Sequence, residues 1–248
     1  MGRWPERQEG LSYPGDGAGR SRSVGLIGLF AILGTLLTAA PQPQPTERVL
    51  NVAWAHQAHQ LSCEAAALKM ALSYYGISAD ELQLISYMTR DTRPARFDAS
   101  GRLARWGDPA AGFVGNPDGR IQHYTGYGVY YQPVALAAML AGANVVEAGS
   151  GLYGTQVPPA HIYQAVLDEH PVVAWISNTY HYVGLERYVA YDGATVRYTL
   201  TEHAVTVIGV RRDAVLINDP WFGRAWHPKA QFESAYRTFA EMAVVVGG

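Results

Sequence analysis

The sequence predicts an α+β fold in which a helical half packs against an antiparallel sheet. Segments with a helical spacing of apolar residues dominate the chain up to about residue 170. The last third instead contains short runs rich in β-branched residues, and turn residues bound each run. Helices that come first and strands that come later are typical of an α+β domain.

The most clearly marked helix covers residues 61–75. Ala65, Leu68 and Leu72 fall on one face of it, and Ser62 is a possible N-cap. Further helices are predicted at residues 80–88, 132–141, 159–169 and 228–236. Strands are predicted at residues 171–177, 203–210, 214–219 and 240–246, and residues 89–131 are predicted to be irregular.

The composition is that of a globular protein and excludes one class of partner. The chain has 248 residues, of which 48% are hydrophobic and 16% are charged. The formal net charge is -2, and the body of the chain has no run rich in Lys or Arg. Nucleic acid is therefore not an expected partner.

The N-terminal region predicts export. Residues 1–23 form a basic tail, and residues 24–40 are an uncharged apolar run of 17 residues. A run of this length is about the shortest that spans roughly 30 Å of hydrocarbon, so it is either a signal peptide or a membrane anchor. Pro41 follows directly and disfavours cleavage, which favours an anchor with the arginines in the cytoplasm. A buried core helix is the alternative.

The rest of the chain is predicted to be one domain behind a linker. Residues 41–47 are rich in Pro and Gln and form an extended spacer. Residues 48–248 contain neither a second linker nor an internal repeat. We therefore expect a monomeric domain outside the cytoplasm, membrane-anchored or secreted, which contacts the membrane through the N-terminal segment.

Cys63 is the only cysteine in the chain. In an exported protein, an odd cysteine pairs with another molecule or is a reactive thiol. Cys63 lies in the first turn of the predicted helix, where unpaired N–H groups and the helix dipole favour a thiolate of lowered pKa. The alternative is a small buried apolar residue beside three alanines.

His203 is the candidate base. It opens the predicted strand 203–210, about 140 residues after Cys63. This separation is typical of hydrolases in which a cysteine on a helix meets a histidine on the sheet. A hydrogen-bonded core histidine is the alternative.

Asp219 is the candidate partner of His203. If residues 211–213 form the hairpin loop, Asp219 is the diagonal neighbour of His203 on the same face of the sheet. Its carboxylate can then accept a hydrogen bond from the Nδ1–H of His203 and stabilise the imidazolium. A two-residue loop places Asn218 there instead. A residue that only turns the chain before Pro220 is the further alternative.

Donors for an oxyanion are expected near Cys63. The main-chain N–H of Cys63 is one candidate, and a side-chain amide of the preceding loop is the second. Gln57, six residues earlier, is well placed, and Gln60 is the local alternative. Trp221 is expected to shield the contact between His203 and Asp219 from water.

Short segments of the chain resemble the C39-like family of bacterial cysteine peptidases. They are, in order, “HQAHQLSCEAAALKMALSYYGI”, “GFVGNPDG”, “GYGVYYQP”, “HAVTVIGV” and “INDPW”. The resemblance covers roughly residues 48–246 and implies a papain-like fold with a Gln, Cys, His and Asp/Asn site. Matched by motif, these residues are Gln57, Cys63, His203 and Asp219.

The sequence departs from the family in two respects. Glu64 follows the cysteine where many relatives have Gly. No transporter or nucleotide-binding segment follows the domain, so leader processing during transport is not implied.

The sequence therefore predicts a hydrolase that cleaves a peptide or amide bond through Cys63, His203 and Asp219 and a thioester intermediate. The expected partner is a peptide or protein substrate, and no cofactor or metal is expected.

Three alternatives remain. His56, His59 and Cys63 have the spacing of metal ligands on one helix. A non-catalytic surface module on the same fold would bind peptides or wall polymer through the aromatic residues of 122–133 and the pair Trp221 and Phe222. An acyltransferase would pass the thioester to an amine.

Overall fold

The structure, a computed structural model, describes residues 46–248. The predicted basic tail, the apolar run 24–40 and most of the linker lie outside the described residues. Among residues 46–248, no helix combines the length and the apolar character needed to cross a bilayer.

The described residues form five α-helices and fourteen strands. The helices are α1 (Cys63–Ser73), α2 (Glu81–Tyr87), α3 (Tyr131–Leu140), α4 (Pro159–Leu167) and α5 (Lys229–Tyr236). The strands are β1 (Arg48–Val49), β2 (Arg90–Asp91), β3 (Arg96–Phe97), β4 (Leu103–Trp106), β5 (Phe113–Gly115), β6 (Gly126–Gly128), β7 (Asn144–Gly149), β8 (Val172–Ser177), β9 (Glu186–Ala190), β10 (Thr195–Tyr198), β11 (Glu202–Val210), β12 (Ala214–Asp219), β13 (Gly223–Pro228) and β14 (Ala243–Gly247).

A seven-stranded sheet holds the predicted strands. Its order is β13-β12-β11-β8-β14-β7, and β1 pairs with the end of β11. Every pair in this sheet is antiparallel, which confirms the α+β class. The smaller sheets have the orders β10-β9-β4-β3 and β2-β5-β6.

The stretch predicted to be irregular, residues 89–131, contains β2 to β6. The prediction is wrong there because these strands have two to four residues. Strands of that length are too short for an alternation of apolar and polar residues to show.

Helix α1 is buried almost all round rather than along one face, because nine of its eleven residues are buried. Its alanines let the neighbouring elements approach closely, so tertiary packing holds the helix in place. Thr206 of β11 donates from Oγ1 to the main-chain oxygen of Ala67, at 2.8 Å. The face of β11 that contains Ala204 and Thr206 therefore packs on α1. Val205 and Val207 lie on the other face and pack in a separate cluster.

The turn between β11 and β12 differs from the prediction. A three-residue loop would pair Val210 with Ala214, but Val210 pairs with Val215. The N–H of Arg211 donates to the oxygen of Ala214, at 2.9 Å, and closes a two-residue turn. In an uninterrupted hairpin, this turn would bring Asn218 to the site.

A bulge restores the predicted register further along the hairpin. It lies at Ile208, and beyond it Thr206 pairs with Asn218. A bulge adds one residue to one strand and so shifts the pairing by one. Asp219 therefore returns to the face of the sheet that contains His203.

Gly128 marks a close approach between β6 and α1. Its φ is +121°, and a Cβ there would collide with Oε1 of Glu64. Gly154 has a similar φ of +115° with open space around it. We expect Gly128→Ala to destabilise the fold more than Gly154→Ala does. Backbone strain lowers the stability of both variants by about 1–3 kcal/mol. Overpacking lowers it by a further amount of about 1–3 kcal/mol in Gly128→Ala alone.

Urea unfolding of the two variants measures this difference. Equal losses of unfolding free energy would mean that the Glu64 carboxyl moves aside freely.

Candidate active site

Cys63 is the first residue of α1, and 6% of its surface is exposed. Its Sγ donates to Oε2 of Glu64, at 3.4 Å. Among residues 46–248, no hydrogen bond joins this sulfur to the ring of His203. The thiol therefore rests against a carboxyl group.

The surroundings of Cys63 raise its pKa, which is opposite to the direction that the sequence predicts. Burial makes the largest contribution, and the charges of Glu64 and Glu202 add to it. The N–H of Ala204 lowers the pKa by less. The helix N-terminus does not outweigh burial beside two carboxyl groups. The resting thiol is therefore protonated, and its attack on a carbonyl requires a base.

Glu64 is a fully buried carboxyl group held by β6 and the residue after it. Its Oε1 accepts the N–H of Val129, at 2.5 Å, beside Gly128. Burial raises the pKa of Glu64 to about 7, although the N–H groups of Val129 and of Glu64 itself and the Cys63 thiol lower it.

Glu202 is a second buried carboxyl group, at the start of β11 on the face that packs on α1. Burial, and then the charge of Glu64, raise its pKa well above the ordinary value. Its Oε1 has no hydrogen-bond partner among the described residues. One atom each from Cys63, Glu64 and Glu202 lie within 4.8 Å of one another.

His203 and Asp219 form a buried pair. The Nε2 of His203 lies 2.8 Å from Oδ1 of Asp219. The sequence predicts Nδ1 in this contact, and that prediction is wrong. Nε2 is the ring nitrogen farther from the main chain, and it reaches the neighbouring strand. No described residue hydrogen-bonds to Nδ1, and His203 lines the cleft.

The carboxylate of Asp219 accepts three further hydrogen bonds. The N–H groups of Trp221 and Phe222 donate to Oδ1, at 2.8 and 3.0 Å. The hydroxyl of Tyr180 donates to Oδ2, at 2.7 Å. Burial raises the pKa of Asp219, but the bond and charge of His203 and the two N–H groups outweigh it and lower the pKa to about 2. Asp219 is therefore ionised and fixed in orientation.

Asn218 has a different role. Its Oδ1 accepts a bond from Nε of Arg224, at 2.7 Å, and its Nδ2 donates to the main-chain oxygen of Val52, at 3.3 Å. These bonds attach the segment before Cys63 to β12, and they use both ends of the amide.

The low pKa of Asp219 predicts a pH dependence of stability. An aspartate in an unfolded chain has a pKa of about 3.9, so the lowered pKa stabilises the fold above about pH 4. That contribution is lost as the pH falls towards about 2, the pKa in the folded state. We expect Asp219→Asn to lose less thermal stability than the wild type between pH 4 and pH 2. Melting followed by circular dichroism tests this, and parallel losses would contradict it.

Gln57 lies in a loop that several bonds fix in front of α1. Its main-chain N–H donates to the oxygen of Pro220, at 2.9 Å. Its side-chain Nε2 donates to the main-chain oxygens of His59 and Gln60, at 2.7 and 3.0 Å. Its Oε1 is buried without a partner among the described residues. Both N–H groups of the side-chain amide therefore donate within the loop. One of these hydrogen bonds must break before Gln57 can donate to an oxyanion.

Glu81 of α2 is a further support for this loop. Its two oxygens accept the N–H of Ala58, at 3.0 and 2.9 Å, and its Oε2 accepts the hydroxyl of Ser62, at 2.5 Å. The hydroxyl of Ser62 therefore does not cap α1, although Ser62 occupies the N-cap position as predicted.

A cleft of about 230 Å³ opens beside Cys63 and His203. Cys63, His203, Gln57 and Glu202 line it, together with the side chains of Trp221 and Phe222. Trp221 is 40% exposed and Phe222 is 65% exposed. These two side chains form an exposed aromatic rim that a ligand can contact. Trp221 itself contacts the carboxylate of Asp219 through its main-chain N–H.

The alternative metal set of His56, His59 and Cys63 is not assembled among the described residues. Nδ1 of His59 lies 2.8 Å from Oδ1 of Asp118, and Nδ1 of His56 lies 2.7 Å from the oxygen of Gln57. These residues precede α1 in a loop, so helical spacing does not apply to them.

The sequence does not predict two residues of this site, Tyr180 and Glu202. Tyr180 lies in the turn after β8, and nothing in its sequence context links it to Asp219. Glu202 directly precedes His203, and a charged residue at the start of a largely apolar strand is the available signal.

Comparisons with known proteins agree with this fold. The sequence profile of the “Peptidase_C39 like family” matches residues 49–244. YvpB of Bacillus subtilis (strain 168), an uncharacterized protein, is 28% identical over 188 residues, which are 74% of this chain and 68% of that protein. The crystal structure of a Bacillus anthracis protein classed as a C39-like peptidase superposes with a TM-score of 0.66 and 26% identity. That match covers 82% of this chain and 98% of the other.

Proposed function

This chain belongs to the Peptidase_C39 like family, and we propose that it is a thiol peptidase with Cys63 as nucleophile and His203 as base. The main support is geometric. The start of α1 and the start of β11 bring Cys63 and His203 to the walls of one cleft, and Asp219 binds the far side of the imidazole.

The first proposed step moves a proton. The Cys63 side chain turns from Glu64 towards the cleft, and Nδ1 of His203 takes the thiol proton. The sulfur then attacks the carbonyl carbon of the scissile bond. Asp219, held by its other donors, keeps the imidazole oriented and stabilises its positive charge.

The later steps return the site to its starting state. The imidazolium gives its proton to the leaving amine, and a thioester to Cys63 remains. Water attacks this thioester with His203 again acting as base, which releases the acid and restores the thiol.

The proposed oxyanion site uses the start of α1. No acceptor binds the main-chain N–H of Cys63 among the described residues, so this donor is available to a substrate oxygen. Gln57 is the proposed second donor, once substrate displaces one of its bonds within the loop.

Cleavage of a peptide library, read by mass spectrometry, tests the function. The purified full chain is incubated in chelator with and without prior iodoacetamide. We expect cleaved peptides in the untreated sample alone, with one water added for each bond cut. A product extended by an added amine would instead identify an acyltransferase, and no new product would contradict both activities.

The contact between His203 and Asp219 gives a further prediction. Asp219→Asn is expected to lower turnover about 10-fold or more, because the charge that stabilises the imidazolium is lost. Asn218→Ala is the matched control and is expected to affect stability more than turnover. Steady-state rates on one peptide from the library measure both, and a larger loss of turnover in Asn218→Ala would favour Asn218.

We further propose that the domain acts outside the cytoplasm. The support is the order of basic tail, apolar run and Pro-rich spacer in residues 1–47. Added protease should degrade the domain in intact spheroplasts, whereas protection until lysis would contradict this location.

A further inference from the structure

The carboxyl groups beside Cys63 have no part in the steps above. One ligand-type atom from each of Cys63, Glu64 and Glu202 lie within 4.8 Å of one another. The three residues come from two elements, α1 and β11, that pack directly on each other. Their exposed fractions are 6%, 0% and 7%. A thiol and two carboxyl groups thus converge in a largely buried position at the wall of the cleft.

The carboxyl groups of this cluster have no cationic partner among the described residues. Neither Glu64 nor Glu202 forms an ion pair within residues 46–248. Oε1 of Glu202 is buried and has no hydrogen-bond partner in the same part of the chain. A buried carboxyl group without a partner is costly, and proteins normally pair it or give it to a metal.

We propose that Cys63, Glu64 and Glu202 form a binding site for a thiophilic divalent cation such as Zn²⁺. Thiolate and carboxylate are both zinc ligands, at about 2.3 Å and about 2.0–2.2 Å. Ligand atoms at those lengths in a tetrahedron lie roughly 3.3–3.8 Å apart. A small contraction of the cluster therefore suffices.

The surroundings hold the proposed ligands as a metal site requires. Val129 fixes Oε1 of Glu64 through its N–H, which leaves Oε2 on the side of the sulfur. Gly128 provides the space for this carboxyl group. Cys63 and Glu202 both line the cleft, so an ion can enter and water can complete its coordination.

Binding of the ion changes the chemistry of Cys63. The cation replaces the thiol proton, which is released to solvent, and a sulfur–metal bond forms. The sulfur is then unavailable for alkylation or attack. The metal site itself does not depend on peptidase activity. The inference that the bound cation inhibits the enzyme reversibly rests on the proposed function.

Cadmium is the probe because its bond to a thiolate has an ultraviolet charge-transfer band. The full chain is reduced, freed of metal with chelator and titrated with Cd²⁺. We expect a saturable band at one Cd²⁺ per chain that Zn²⁺ displaces, and no band in Cys63→Ser. Zn²⁺ should also protect Cys63 from iodoacetamide. A wild-type protein without a saturable band overturns the proposal.

Variants of Glu202 separate a built site from binding by the thiol alone. Glu202→Gln is expected to weaken Cd²⁺ binding about tenfold or more, and Cys63 should still react with iodoacetamide in chelator. The exposed Glu186 provides the control, and Glu186→Gln should leave the affinity unchanged. Equal affinities in wild type and Glu202→Gln would overturn the proposal.

A second substitution covers the case in which Glu202→Gln does not fold. Glu202→Asp keeps the charge but shortens the side chain, and it is also expected to weaken binding. Peptide cleavage in chelator is measured separately. A chain that binds Cd²⁺ and never cleaves peptides removes the peptidase proposal and leaves the metal site standing.

Discussion

Cys63→Ala is expected to abolish peptide cleavage and iodoacetamide labelling while the fold stays intact. Cys63 is the only cysteine in the full sequence, so every thiol adduct reports on this position. Without the sulfur no thioester forms, and turnover is expected to fall by roughly 10⁴-fold or more. Mass spectrometry of the digested adduct and rates on one library peptide measure the two losses.

The stability of the variant separates chemistry from folding. The change removes one buried sulfur atom, and we expect the free energy of unfolding to fall by about 1 kcal/mol. Cys63→Ser is the matched variant, since its hydroxyl can still donate to Glu64. It should be as inactive as Cys63→Ala. Cleavage that persists in either variant, in a preparation free of other proteases, would contradict the proposed nucleophile.

The layout of the fold could be predicted because its main elements are long and regular. All five helices lie within two residues of the predicted ends, and β12 has the predicted bounds. Strands β7, β9, β10 and β13 lie outside the predicted strands, because each mixes polar and apolar residues over only four to six positions between turn residues.

The structure pairs His203 with Asp219, as the sequence predicts, but through a different hairpin geometry. The predicted three-residue loop is absent, and the two-residue turn alone would select Asn218. The bulge at Ile208 corrects the register before the strand reaches the site. No residue at that position signals a bulge in the sequence, so the right partner follows from two differences that cancel.

The electrostatics of Cys63 could not be predicted from its place in the helix. That prediction depends on a solvent-accessible helix N-terminus, whereas α1 begins inside the domain next to Glu202 of another element. Alternation along β11 puts Glu202, and not His203, on the face that packs on α1. The sequence distance between Cys63 and Glu202 hides this contact, which only the packing of α1 on β11 creates.

The variant His203→Ala tests the assignment of His203 as the base. General-base catalysis contributes about 10²–10⁴-fold, so we expect turnover to fall within that range. Burial and the neighbouring carboxyl groups raise the pKa of Cys63, so the thiol is protonated at rest, and His203→Ala removes the group to which we assign its proton. Rates in chelator measure the effect and keep bound cations out of the comparison.

His56→Ala is the matched control for this test. His56 lies on the loop before α1 with its ring centroid 5.3 Å from that of Trp221, and no hydrogen bond joins it to Asp219 in the described residues. Its loss is expected to change turnover less than about threefold, in keeping with a surface substitution of about 0.5 kcal/mol.

Glu64 is an alternative base, so the result for His203→Ala is interpreted together with that for Glu64→Gln. Glu64 has a pKa of about 7 and already accepts the thiol hydrogen bond, so its carboxylate is chemically able to take the proton that we assign to His203. If Glu64 is the base, Glu64→Gln stops cleavage and His203→Ala retains it. If His203 is the base, Glu64→Gln removes a negative charge beside the sulfur and iodoacetamide reacts faster at neutral pH, while His203→Ala alone loses turnover. The two variants therefore give opposite results under the two assignments.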